Sequence, residues 1–108
     1  LAYYLQKNPK ALPTAEKAYK LDQDNPAIMD TLGWMLVQEK QVSRGLPLIK
    51  QANEKLPDNL EVQYHYAVAL AESGDTAGAN KLLQKIVDSK SHSPVKEDAE
   101  KYLQKMGR

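Results

Sequence analysis

The sequence predicts an all-α fold of packed antiparallel helices, and three observations carry that prediction. Apolar residues recur at spacings of three and four, never at a sustained two. The 108 residues are 42% hydrophobic and 27% charged, with six Tyr, one Trp, no Phe and many Ala, Leu, Lys and Gln. That balance can bury one core and favours helix over strand. The sequence also repeats itself. At an offset of thirty-four, Leu12-Pro13 falls on Leu46-Pro47, Ala18 on Ala52, Gly33 on Ala67, Leu48-Ile49 on Leu82-Leu83, and Asp24-Asn25 on Asp58-Asn59. The same step carries Ala11 to Gly45 to Ala79, and Ala2 to Leu36 to Leu70.

In chain order, a short helix over Leu1–Gln6 precedes a helix carrying Ala11, Ala15 and Ala18. Asn25-Pro26 then supplies an N-cap and a proline at the first helical position, and Ser93-Pro94 repeats the device later. The next helix carries Leu32-Gly33 and Leu36; its partner carries Gly45, Ile49 and Ala52 and closes at Pro57. From Leu60 a helix with Tyr66-Ala67 and Leu70 runs to Gly74, a left-handed stop, and Asp75 caps the helix of Ala79, Leu83 and Ile86. Gly33, Gly45, Ala52, Ala67 and Ala79 are expected at helix crossings, where a larger side chain overpacks the contact at about 1–3 kcal/mol. After a polar linker over Lys90–Ser93, the last segment puts Val95, Ala99, Tyr102, Leu103 and Met106 on one face and Lys96, Glu97, Glu100, Lys101 and Lys105 elsewhere. One apolar face and one charged face suit a helix that covers the open end of a stack.

A thirty-four-residue helix–turn–helix period with small residues at these points resembles the tetratricopeptide repeat. The resemblance implies a right-handed α-solenoid over residues 1–108. It divides into a truncated repeat (1–25), two repeats (26–59 and 60–93) and a C-terminal capping helix (94–108). The third repeat departs by placing Ile86 where a small residue is usual. Glu100 and Lys101 stand where a fourth repeat needs Leu and a small residue, which favours a cap. The strings Thr31–Gln38 and Val62–Asp75 are also similar to C-terminal repeats of tetratricopeptide lipoproteins of bacterial exopolysaccharide export, the PEP-CTERM system type. That similarity implies a scaffold in a secretion assembly, periplasmic or anchored to the outer membrane, with a cytoplasmic location still open.

Fifteen Lys and Arg against fourteen Asp and Glu leave a net charge of +1, so charge offers no reason to expect nucleic acid. Without cysteine there are no disulfides, thiolate zinc sites or cysteine nucleophiles. The apolar runs Trp34–Val37 and Ala67–Ala71 are too short to enter and cross a bilayer. The chain starts at Leu1 with no basic-then-apolar leader and reads as a piece of a longer protein. No phosphate loop, nucleophile elbow or metalloprotease motif is present, and His65 and His92 stand far apart. Asp22-Gln23-Asp24 begins like a calcium loop, but Pro26 and Gly33 occupy positions where that loop needs oxygen ligands. The expectation is no enzyme, no cofactor and no metal.

Arrays of the resembled family bind proteins or peptides on the concave face of their first (A) helices. Carried over by register, those positions are Asp30, Thr31, Trp34 and Gln38, then Tyr64, His65, Val68 and Glu72, with Tyr3 and Tyr4 from the first stub. Trp34, one residue past Gly33, is either a binding anchor or a residue packed on the neighbouring A helix. Tyr64 and His65 read as partly exposed residues without a special role. The family's carboxylate clamp needs basic groups, whereas Asp30, Trp34, Glu61 and His65 occupy its positions, so a clamp is not expected. A structural spacer and a carbohydrate-stacking surface are the alternatives. The apolar face around Leu12, Ala15 and Tyr19 is expected to lack cover and to favour self-association. The last helix is expected to stabilise the stack without joining the binding face.

Overall fold

The computed structural model describes residues 11–90 and 92–107. Within them lie six α-helices and no strand: α1 (Ala11–Leu21), α2 (Pro26–Gln38), α3 (Val42–Lys55), α4 (Leu60–Glu72), α5 (Thr76–Val87) and α6 (Pro94–Lys105). The expected helix over Leu1–Gln6, with Tyr3 and Tyr4, lies outside the described residues.

Short polar signals set the helix ends. The Asn25 side chain accepts hydrogen bonds from the Ala27 and Ile28 amides at 2.9 and 3.4 Å, and Pro26 opens α2. Asn59, Asp75 and Ser93 cap α4, α5 and α6 in the same way. Both α2 and α4 end in the same motif. The Gln41 amide returns to the Leu36 carbonyl at 2.8 Å and Lys40 to Val37 at 3.1 Å; thirty-four residues on, Asp75 returns to Leu70 and Gly74 to Ala71 at 2.9 and 3.1 Å. That geometry needs a left-handed residue, supplied by Gly74 (φ 103°) in α4 and by Lys40 (φ 67°) in α2. A lysine there gives no warning in the sequence.

Helices pack in sequence order, each against the next, and α4 also touches α2 and α6. Gly33, Gly45, Ala52, Ala67 and Ala79 are all buried. At the α2–α3 crossing the backbones approach so closely that a Cβ on Gly33 would stand 2.5 Å from Ile49 Cγ1 and 2.9 Å from the Gly45 carbonyl oxygen. A Cβ on Gly45 would meet the Gly33 carbonyl oxygen at 2.5 Å. Leu36, Ile49, Leu83 and Ile86 are the largest fully buried side chains, each stabilising the fold by about 1.5–3 kcal/mol before entropy is subtracted.

Ile86 is accommodated because α6 presents a small partner. It packs with Ala67, Leu83, Val95, Leu103 and Ala99, the last also fully buried. At the preceding interface the sizes exchange, and Ala52 packs against Met29 and Val62. The terminal helix thus lies on α4 and α5 as α4 lies on α2 and α3. The α1 face expected to be open packs inward: Ala15 is buried, and Leu12 and Tyr19 are half-buried, among Leu32, Met35, Leu36 and Leu48. The helix turns this face toward the repeat that follows it; among the described residues the exposed large apolar one is Leu21.

Candidate functional site

Residues three and four apart on a helix share a face, and stacking aligns that face on α2, α4 and α6. The result is a row of rings. The Trp34 indole stacks on the His65 imidazole at 4.1 Å between centroids and 18° between planes. Tyr64 stands 6.1 Å from both rings, and Tyr102 of α6 meets Tyr64 edge-on at 6.5 Å and 88°. Such tilted and edge-on contacts suit the ring quadrupoles.

Polar groups fasten this row from both sides. His65 Nδ1 lies 2.8 and 3.0 Å from the two carboxylate oxygens of Asp30, joining α4 to α2. The Asp30 and His65 side chains are only 9% and 13% exposed. The Tyr102 hydroxyl donates to Glu72 at 3.2 Å, and Lys105 Nζ lies 5.4 Å over the Tyr102 ring. Burial pushes the Tyr102 phenol up to about 12; the Glu72 carboxylate and its hydrogen bond add to that shift, as does Tyr64. Burial also raises Tyr64, with the Asp98 carboxylate contributing. Both phenols are neutral donors at ordinary pH.

The structure divides the eight expected contact residues. Trp34 and Tyr64 are half-buried and share the row, and Glu72 is exposed beside it. Thr31 is exposed but returns its hydroxyl to the Ala27 carbonyl at 2.9 Å. Gln38 is half-buried at the end of α2. Val68 is 6% exposed and packs with Val37, Ile49 and Ala69. Asp30 is likewise a buried strut beneath the row. His65 is no idle surface residue but the ring that joins Asp30 to Trp34. Tyr102 joins the row although the sequence does not single it out, because its place on the apolar face of α6 reads equally well as core. Two donor groups converge with Glu61 as well: side-chain atoms of Asp30, Glu61 and His65 all lie within 4.8 Å of one another.

Hollows also lie elsewhere. One of about 640 Å³ is lined by Val87, His92, Pro94 and Glu100 among others, and one of about 430 Å³ by Tyr19, Leu36, Arg44 and Leu48 among others. Arg44 and Glu16 form an exposed ion pair at 2.9 Å beside the second.

The tetratricopeptide repeat family model matches residues 36–95, from the last turns of α2 through α5 into the start of α6. The chain belongs to the tetratricopeptide repeat family. Comparison with curated proteins and with solved structures returned no match. Tetratricopeptide repeats are protein-interaction modules, typically without enzymatic activity, and the all-helical stack described above is their architecture. No helix among the described residues is long and apolar enough to cross a membrane.

Proposed function

We propose that this array binds an extended or helical segment of a partner protein across the A-helix face of α2, α4 and α6, with Trp34 at its centre. The observation that carries the reading is the continuous ring row Trp34–His65–Tyr64–Tyr102, which joins the three A helices α2, α4 and α6. Half-buried aromatics of this kind give large contact area at small entropic cost and dominate binding energies elsewhere. Glu61 and Glu72 are exposed beside the row, and Asp98 is exposed near Tyr64. Among the described residues, Lys105 lies against the row at its α6 end. That balance suits a neutral or basic segment carrying apolar side chains. The likeness of the A-helix strings to exopolysaccharide-export lipoproteins supports placing such a scaffold in a bacterial secretion assembly.

Trp34 is the chain's single tryptophan, so its emission reports on this face directly. Titrating libraries of basic–apolar and acidic–apolar peptides should shift the emission for the basic set first. Trp34→Ala should then cost a bound peptide more than about 1–2 kcal/mol, the usual size of a hot-spot effect. The convex control Lys50→Ala should cost nothing measurable. Equal and negligible losses in both, with the helical spectrum intact, favour the spacer reading. That reading draws on the same packing, since Trp34 already spends one face on His65.

A further inference from the structure

The geometry points to a divalent transition-metal site formed by Asp30 of α2 with Glu61 and His65 of α4. The inference stands on these three side chains and does not depend on the partner-binding reading. Glu61 and His65 are four residues apart, so one turn of α4 aims both toward the same point. Asp30 reaches that point from the neighbouring A helix. One donor atom from each of the three lies within 4.8 Å of the other two, and Asp30 already lies 2.8 Å from His65 Nδ1. Around an ion with metal–ligand bonds of about 2.1 Å, tetrahedral donors stand about 3.4 Å apart. Adjusting the exposed Glu61 side chain and opening the Asp30–His65 contact by a few tenths of an ångström brings all three into that range.

The surroundings suit ligation. Trp34 stacked on His65 holds the ring plane, so the imidazole does not lose that freedom on binding. Asp30 is a buried carboxylate, its side chain 9% exposed, and among the described residues its hydrogen-bonding partner is His65 alone. One N–H occupies little of its acceptor capacity. Glu61 makes no hydrogen bond or ion pair with any described residue. Three protein donors leave a fourth position for water on the open side.

A donor set of one imidazole nitrogen and two carboxylates selects borderline first-row ions such as zinc or cobalt over calcium and magnesium, which take oxygen alone. The ion takes the place of the Nδ1 proton. The ring then stays neutral with its proton on Nε2, and an imidazolium starting state releases one proton to solvent. The ligands span two helices, so the bound ion links one repeat to the next. Sequence spacing hides the site, because Asp30 lies thirty-five residues before His65.

The test uses the untagged, chelator-washed chain. Co²⁺ bound next to the His65–Trp34 stack should quench Trp34 emission to saturation at one ion per chain and develop visible d–d absorption, and Zn²⁺ should displace both signals. Glu61→Gln, at an exposed position that leaves packing intact, should weaken Co²⁺ binding at least about tenfold, comparable with loss of metal-site partners elsewhere. His65→Gln should do the same, and His92→Gln, the other histidine, should change nothing. Non-saturating quenching, unchanged affinity in Glu61→Gln, or loss of binding in His92→Gln would each overturn the site. If His65→Gln unfolds, the Glu61→Gln comparison decides alone.

Discussion

Replacing Gly33 by alanine sets two effects of opposite sign against each other. In isolation, Gly→Ala inside a helix stabilises by about 0.5–1 kcal/mol, because glycine loses more backbone freedom on folding. Here the new methyl would sit 2.5 Å from Ile49 Cγ1, 2.9 Å from the Gly45 carbonyl oxygen and 3.2 Å from the Ile49 amide nitrogen. Ile49 is completely buried, and two of the three obstacles are backbone atoms, so no rotamer change clears the space. Overpacking of this sort costs about 1–3 kcal/mol, and backbone obstacles place this case in the upper half of that range. The expected net is a loss of about 1–2 kcal/mol, or a fall in melting temperature of about 4–16 °C at the 4–8 °C per kcal/mol usual for domains of this size. Urea and thermal unfolding followed by circular dichroism measure it. Gly45→Ala should behave alike, since its Cβ meets the Gly33 carbonyl oxygen at 2.5 Å. The double variant should cost less than the sum, because one separation of α2 from α3 relieves both clashes. A Gly33→Ala protein more stable than the parent would refute the close crossing.

Four further outcomes follow from the geometry. Lys40→Gly removes a left-handed non-glycine residue and should stabilise by about 1 kcal/mol, whereas Gly74→Ala, open in space but at φ 103°, should destabilise by a similar amount; unfolding midpoints of both decide. Deleting Pro94–Arg108 uncovers Leu83 and Ile86 and should lower the melting temperature markedly, with increased binding of a hydrophobic dye. Tyr102 is raised in the folded state from 10 to about 12, so its contribution is fully present below pH 10 and is lost as pH rises toward 12; Tyr102→Phe should show a shallower alkaline decline in stability. Asn25→Ala leaves the Ala27 and Ile28 amides without their acceptor and should cost about 1 kcal/mol by the same assay.

Repetition made the fold legible. Gly33, Gly45 and Ala79 hold their register because close crossings tolerate nothing larger, and Asn25, Asn59 and Asp75 announce helix starts by chemistry that acts within three residues. What acts across helices was harder to read. Asp30 and Val68 satisfy the register for a surface position, yet packing between helices buries both. The Asp30–His65 contact joins residues whose pairing no local pattern encodes. Lys40 hid a helix stop because a lysine takes the left-handed conformation where glycine is expected. Tyr102 was visible only as an apolar helix position, since a stacking ring and a core ring look the same at helical spacing.

The glycine pair in α2 and α3 also has a mechanical consequence. The corresponding positions in α4 and α5 are Ala67 and Ala79, both fully buried, so that second helix pair must stand apart by two methyl groups the first pair lacks. Under tension along the stack, the first pair has the stiffer joint, its backbones so close that neither glycine has room for a Cβ. Yielding should begin at the later pair and travel toward the C-terminus. An optical-tweezers trace would then break in two steps of unequal force, the weaker one first.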